Sequence, residues 1–258
     1  MELKISEFDG LELLRFSNLK TSFPEHFHET YCVTLINSGW EMVKIGDTTV
    51  LSDKGFITIT NPFEIHANPV FDSSHKNDFI TLYLSKDVVS YFLKDENVNF
   101  SLQQPINPAS QSAFLRIVDS VSNGNIDCLS TLLNQLLNSF QKQDVFELDH
   151  HPVFNNQWQE LLELIDNSLQ TKITLDDLAK FMGMNKFSLA KEFRLKHGLS
   201  PIHYVIMRKV FEMKKLIRKD TNLTHLAHQF HFADSAHFSK QFKRFVGLSP
   251  RAFKNQIF

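Results

Sequence analysis

The sequence predicts an α+β chain of two domains. A β-barrel or sandwich with attached helices comes first, then an all-α domain with two helix-turn-helix motifs joined by a long helix. Three observations support this. Short runs rich in β-branched and aromatic residues fill positions 23–84, apolar residues recur at helical spacing from Trp158 onward, and the block Gly-Leu-Ser-Pro occurs twice, 49 residues apart. Strands gathered first and helices gathered later are the pattern of an α+β chain or of separate domains.

At 258 residues the chain is long for one domain and ordinary for two. Its 42% apolar and 22% charged residues exclude a disordered chain. No apolar run reaches the roughly 18 residues of a membrane span, and the charged opening Met1–Glu7 lacks the apolar stretch of a secretory signal. Cys32 and Cys128 make neither a disulfide framework nor the spacing of a zinc site. The expectation is a cytoplasmic protein without membrane contact. The net charge of −2 hides a division: residues 1–154 hold 10 Lys and Arg against 20 Asp and Glu, and residues 155–258 hold 17 against 9. An acidic half followed by a basic half suggests two modules, the second suited to a polyanion.

The elements follow in order. Tyr31–Ile36, Glu41–Ile45 and Phe56–Thr60 read as strands, separated by turns at Gly39, Gly46-Asp47 and Asn61-Pro62. Phe114, Ile117, Val118 and Val121 share one helical face, and Leu129, Leu132, Leu133, Leu136, Leu137 and Phe140 keep the same period. Periodicity then fails over 143–156. This divides the chain into a first domain 1–142, a linker 143–156 and a second domain 157–258. Trp158, Leu161, Leu162 and Ile165 open the helical part. Thr174 with Asp177 reads as a capping box for Leu175–Phe181, Met182-Gly183-Met184 as a turn, Asn185 as the cap of the next helix, and Gly198 as its stop before Pro201.

One helix-turn-helix outline is a weak signal, but here it is repeated. Leu189, Phe193, Gly198, Leu199, Ser200 and Pro201 return as Phe238, Phe242, Gly247, Leu248, Ser249 and Pro250, and Lys191 and Arg194 return as Lys240 and Lys243. An all-helical scaffold explains the apolar repeat but not the basic one. A recognition helix fits the major groove, whose successive segments on one face lie about 34 Å apart. The 17 residues Ile202–Arg218 supply a helical spacer of roughly 25 Å, its later part made basic by Lys209, Lys214, Lys215, Arg218 and Lys219.

Over residues 158–254 the sequence resembles the AraC family of bacterial transcription regulators, most specifically in Phe232–Pro250 and in Leu175–Ala179 with Gly183-Met184-Asn185. The resemblance implies a sequence-specific DNA-binding regulator, usually an activator, with double-stranded DNA and RNA polymerase as partners. It places Lys186, Phe187, Ala190 and Lys191 in the groove-facing positions of the first recognition helix, beside Arg194. Ser235, Ala236, Ser239 and Lys240 take those positions in the second, beside Arg244. The chain departs from the family at His231, where glycine is usual before the phenylalanine, and at Met213, where a small residue is usual. The first departure is expected to strain the turn before the second recognition helix.

Residues 23–70 resemble the cupin-like effector-binding domain that precedes the DNA-binding domain in many members, through Phe23–Tyr31, Gly39 and Asn61–His66. The expected effector site is a small-molecule pocket with polar groups from His26, His28 and His66 and apolar walls from Tyr31 and Trp40, with Phe27 and Phe56. Two other readings stand beside it. The histidines could be structural, bonded to backbone or to Glu29 or Glu64. Alternatively, His-x-His with a distant third His could hold a metal in a cupin enzyme with a helical partner-binding tail, although Cys32 and Val33 stand where a ligand Glu is usual. No cofactor and no catalysis are expected. Leu129, Leu133, Leu136 and Phe140 read first as core; they also lie where relatives place a dimerisation helix, so the resemblance offers a homodimer contact there as the second reading.

Overall fold

The computed structural model describes residues 6–8, 10–72, 74–125, 127–143 and 156–257. Its contacts divide the chain into two compact units on either side of Phe146, with Phe23–His26 grouped with the second. Apart from its end residues Gln143 and Asn156, the expected linker lies outside the described residues.

In chain order the N-terminal half of the sequence runs β1 (Ser6–Phe8), β2 (Leu11–Phe16), β3 (Phe23–His26), β4 (Tyr31–Ser38), β5 (Glu41–Ile45), β6 (Thr48–Ser52), β7 (Phe56–Thr60), β8 (His66–Asn68), β9 (Asp78–Leu84), α1 (Lys86–Leu93), β10 (Gln103–Pro105), α2 (Pro108–Asn123) and α3 (Leu129–Asn138). The strands form two cupin-like sheets instead of a closed barrel: a six-stranded one in the order β1-β2-β9-β4-β7-β10 and a four-stranded one in the order β3-β8-β5-β6. Strand and helix signals missed in the sequence are β1, β2, β10 and α1, all outside the strand-like stretch 23–84.

Register explains what each face of the larger sheet does. Leu13, Leu82, Val33 and Ile59 lie side by side across β2, β9, β4 and β7. They belong to one apolar core with Phe114, Ile117 and Val121 of α2 and Leu132, Leu136 and Leu137 of α3. One residue along, the row reads Leu14, Thr81, Thr34 and Thr58. Side chains alternate between faces along a strand, so the second row points away from the helices. There Thr34 and Thr81 share a hydroxyl hydrogen bond of 2.9 Å.

This packing decides between the two readings of the α3 leucines and corrects one expectation. Leu133, Leu136 and Phe140, with Leu129 packed against them, belong to the chain's own core, so the face proposed for dimerisation is already covered. Tyr31 is 2% exposed, belongs to the same core and donates its hydroxyl to the Val98 carbonyl at 2.6 Å. It therefore faces the helices and does not line an effector pocket.

The second unit holds α4 (Asn156–Asn167), α5 (Leu175–Phe181), α6 (Lys186–His197), α7 (Pro201–Leu216), α8 (Leu223–Gln229), α9 (Ser235–Val246) and α10 (Pro250–Ile257). The boundaries have local causes. Thr174 and Asp177 form a reciprocal capping box at α5, Asn185 accepts from the Phe187 and Ser188 amides at α6, and Asp234 accepts from the His237 amide at α9. The recognition helices α6 and α9 have the same length, and left-handed Gly198 and Gly247 end them.

The turns of the two motifs correspond as well. Gly183 (φ 62°) donates to the Lys180 carbonyl and Met184 to Ala179; 48 residues on, His231 (φ 56°) donates to His228 and Phe232 to Ala227. The same left-handed position is thus glycine in one motif and histidine in the other. An L-residue there carries roughly 1–2 kcal/mol of steric strain, partly offset because glycine loses more entropy on folding. His231→Gly is therefore expected to stabilise the helical unit by about 1 kcal/mol, and Gly183→Ala to destabilise it by a similar amount. Urea unfolding checks both, and equal midpoints for His231→Gly and the parent would show that the turn is unstrained.

Candidate nucleic-acid interface and effector site

Each recognition helix separates a buried from an exposed face. On α6, Leu189 and Phe193 are fully buried, Lys186, Phe187, Lys191 and Arg194 are exposed, and Ala190 is half-buried. On α9, Phe238, Phe242, Phe245 and Val246 face inward, Ala236, Lys240 and Arg244 are exposed, and Ser235 and Ser239 are half-buried. Phe187 is 79% exposed. Lys186 lies 3.5 Å from Asp176, an exposed pair that a phosphate would compete for. Lys191 has no ion pair among the described residues. Both α6 and α9 pack on α7.

The basic run of α7 is less uniform than its sequence suggests. Arg218 caps the helix by donating to the Lys215 and Ile217 carbonyls, and Lys215 pairs with Glu212 at 3.3 Å. Lys209, counted above among the residues that make the spacer basic, is buried and donates to the carbonyls of Thr171 and Phe230. It faces the protein interior. A lysine held by carbonyls from distant loops reads in sequence like any solvated lysine, and no local signal distinguishes it.

In the N-terminal half, Nδ1 of His66 is hydrogen-bonded to the Glu64 carbonyl at 2.8 Å and Nδ1 of His26 to the Pro24 carbonyl at 2.7 Å. With Nδ1 as donor, each ring's Nε2 becomes the acceptor. Burial pulls the His66 pKa down to about 4, so its ring is neutral near pH 7. A ring nitrogen from each of His26, His28 and His66 lies within 4.8 Å of the others. The His28 ring is 5.5 Å from that of His66 and edge-on to Tyr83 at 5.2 Å. Trp40 is half-buried, edge-on to His75 at 5.0 Å and to Phe71 at 6.0 Å, while Phe71 itself is 53% exposed. Trp40 thus belongs to a partly exposed aromatic group.

Sequence reading missed the inward polar residues of the two sheets. Glu41 on β5 accepts from the Thr58 hydroxyl on β7 and from the Asn68 amide on β8 at 3.3 Å. Burial raises its pKa to about 7, against the opposing pull of those two hydrogen bonds. Only strand register, which the sequence does not print, groups these residues on one face.

Among the described residues no helix is long and apolar enough to cross a membrane. A family model described as a helix-turn-helix domain matches residues 178–256, and one described as an AraC-like ligand binding domain matches residues 10–137. The chain is 23% identical over 237 residues to the uncharacterized HTH-type transcriptional regulator YbfI of Bacillus subtilis strain 168, covering 88% of this chain and 85% of the relative. It is 20% identical over 257 residues to the HTH-type transcriptional activator RhaS of Pectobacterium atrosepticum, covering 93% and 90%. Among solved structures, an apo form of ToxT from Vibrio cholerae superposes with a TM-score of 0.61 at 13% identity over 98% of this chain and 100% of that one, a likeness of fold. The two family matches fall on the sheet-rich and the helical parts, in the order the elements require. The chain is a DNA-binding transcription regulator and belongs to the AraC family.

Proposed function

We propose that this regulator binds a promoter through α6 and α9 in two successive major-groove segments, and that a small polar molecule held by its N-terminal sheets changes DNA occupancy. The repetition of a whole reading unit carries the first half. Two helices of equal length each bury an apolar stripe, Leu189 and Phe193 on α6 and Phe238 and Phe242 on α9, and expose a basic face, and both pack on one connecting helix. We assign the groove-facing roles to Lys186, Phe187, Ala190, Lys191 and Arg194 and to Ser235, Ala236, Ser239, Lys240 and Arg244, with Lys191 and Lys186 ranked above Lys240. Domains 1–142 and 157–258, with linker 143–156, are the proposed boundaries.

The effector reading is supported by the hydrogen-bonded Glu41, Asn68 and Thr58, by the adjoining rings of His28 and His66, by the ligand-binding family match, and by ToxT, which has been solved with a bound unsaturated fatty acid. Here the inward groups are hydrogen-bonding side chains, which suits a polar ligand better than a lipid tail. A ligand acts on DNA occupancy only through different affinities for two states of the protein. Activation through RNA polymerase follows the relatives named as activators. A homodimer would need a surface other than the buried face of α3. A regulator of this kind works where the chromosome is, in the cytoplasm. The relatives YbfI and RhaS are named as regulators, and neither as a metal-dependent enzyme.

The full chain is expected to bind duplex DNA with an affinity that falls steeply as salt rises. Lys191→Ala should cost about 1–3 kcal/mol at the preferred site if it reads a base, and should lower the salt slope by about one if it meets phosphate. Fluorescence anisotropy across a salt series checks both. No binding to any duplex at low salt would refute the DNA half. A metabolite panel that never raises the melting temperature would refute the effector half.

A further inference from the structure

We propose that Lys209 is the positioning residue that sets the separation and phase of the two recognition helices, by holding on α7 one carbonyl from the loop entering the first motif and one from the turn of the second. This rests on the two-contact reading above. Lys209 is 6% exposed, and its Nζ donates to the Thr171 carbonyl at 2.8 Å and to the Phe230 carbonyl at 2.9 Å. Thr171 lies between α4 and α5, in a turn closed on Ser168 by its own amide and hydroxyl. Phe230 is the C-cap of α8, so its carbonyl stands at the negative end of that helix.

Among the described residues Lys209 has no carboxylate partner. A buried ammonium without a counter-charge is costly, and a methionine of similar length would fill the same space. What the cation supplies is a joint: three donors on one atom, two of them engaged by segments far apart in sequence. The neighbouring contacts repeat the pattern. Arg208 Nε donates to Asp166 of α4 at 2.9 Å, and Gln229 at the end of α8 donates to Gln170 at 3.0 Å. The loop entering the first motif and the turn of the second thus meet at one point on the helix that carries both readers. Burial lowers the Lys209 pKa to about 8. As ammonium or amine it retains enough protons for both carbonyls, so the joint persists across physiological pH.

The test uses the full chain. Its preferred duplex is selected from a random pool, and five base pairs, about half a helical turn, are then inserted between the two protected blocks. The parent should lose about tenfold or more in affinity on insertion, whereas Lys209→Met should lose less than about threefold, and Lys209→Arg, which keeps the donors, should behave like the parent. Independently of DNA, nitroxides at Leu195→Cys and Lys243→Cys in a Cys128→Ser background should give one narrow distance in the parent and a broadened distribution in Lys209→Met. If Lys209→Met fails to fold, Lys209→Gln is measured in its place. A folded Lys209 variant with the parent's spacing penalty and narrow distance overturns the proposal, as does an equal loss of affinity at every spacing. A parent indifferent to spacing overturns the two-contact reading instead, and the distance measurement then still tests Lys209 by itself.

Discussion

Phe242→Ala is expected to destabilise the helical unit by about 3–5 kcal/mol, the usual cost of deleting a fully buried phenylalanine ring. Phe242 is completely buried and packs edge-on against Phe238 at 5.6 Å and Phe253 at 5.4 Å. Its counterpart 49 residues earlier, Phe193, is equally buried and packs edge-on against Tyr204 at 5.5 Å. Tyr204 and Phe253 are themselves 49 residues apart. In both motifs, therefore, an edge-on aromatic pair at the same repeat position ties the second helix to the helix that follows it. A domain of this size is stable by only about 5–15 kcal/mol in total, so the loss is a large fraction of what holds α9 in place.

Phe187→Ala is the matched control. It removes the same ring from a site that is 79% exposed, so the melting temperature should stay within about the ±0.5 kcal/mol range of ordinary surface substitutions. DNA affinity should fall nonetheless if the ring packs on thymine methyls. Circular-dichroism melts and anisotropy titrations on the two variants separate folding from reading. A Phe242→Ala protein that melts with the parent would mean that α9 is not held by this contact.

The contrast between those two phenylalanines also shows how far the sequence could be read. In the helical unit almost every signal is local: Thr174 and Asp177, Asn185, Gly198 and Pro201 each mark a helix end within a few residues, and the structure uses all of them there. Internal repetition then supplied a second copy of the pattern as a check. The sheets offered no such help. Strands β4 and β9 are buried on both faces along most of their length, so alternation, the usual guide to which residue points where, is nearly absent. Tyr31 could be placed on the wrong face for that reason. The leucines of α3 left two readings open for a different reason: their period is correct, but a period reveals an apolar stripe and not whether the same chain or another one covers it. Strand β2 was missed because Glu12 and Arg15 interrupt its apolar run, and Arg15 reaches Ser122 of α2, a contact 107 residues away. Lys209 is invisible for the same reason of distance.

Glu41→Gln is expected to stabilise the N-terminal unit by up to about 3 kcal/mol above pH 7 and to change little near pH 4. Burial holds the carboxyl in its protonated form up to about pH 7, against an ordinary value of 4.5. Below the ordinary value both folded and unfolded chains carry the proton and nothing is lost. As pH rises through 4.5 the unfolded chain ionises while the folded one resists, so this group's contribution falls steadily until about pH 7 and then levels off. The interval corresponds to about 3 kcal/mol at 1.36 kcal/mol per tenfold change in proton affinity. Glutamine removes the charge and keeps the shape. Its carbonyl can accept from Asn68, and its amide can donate to Thr58 once that hydroxyl turns to accept.

The parent alone would not reveal this, because His66 acts in the opposite sense. Its pKa is lowered to about 4, so its contribution is complete above the ordinary value of 6.5 and is lost as pH falls toward 4. Two groups with shifts of similar size thus oppose each other over much the same range, so the slope of the parent understates each of them. Once Glu41 is neutralised, the His66 slope should emerge, with stability climbing from pH 4 to 6.5. Urea unfolding of parent and Glu41→Gln across that range measures the difference directly. A difference that stays constant with pH would show that the Glu41 carboxylate is solvated, and the inward face of the sheets would then be open to water instead of enclosing a polar ligand.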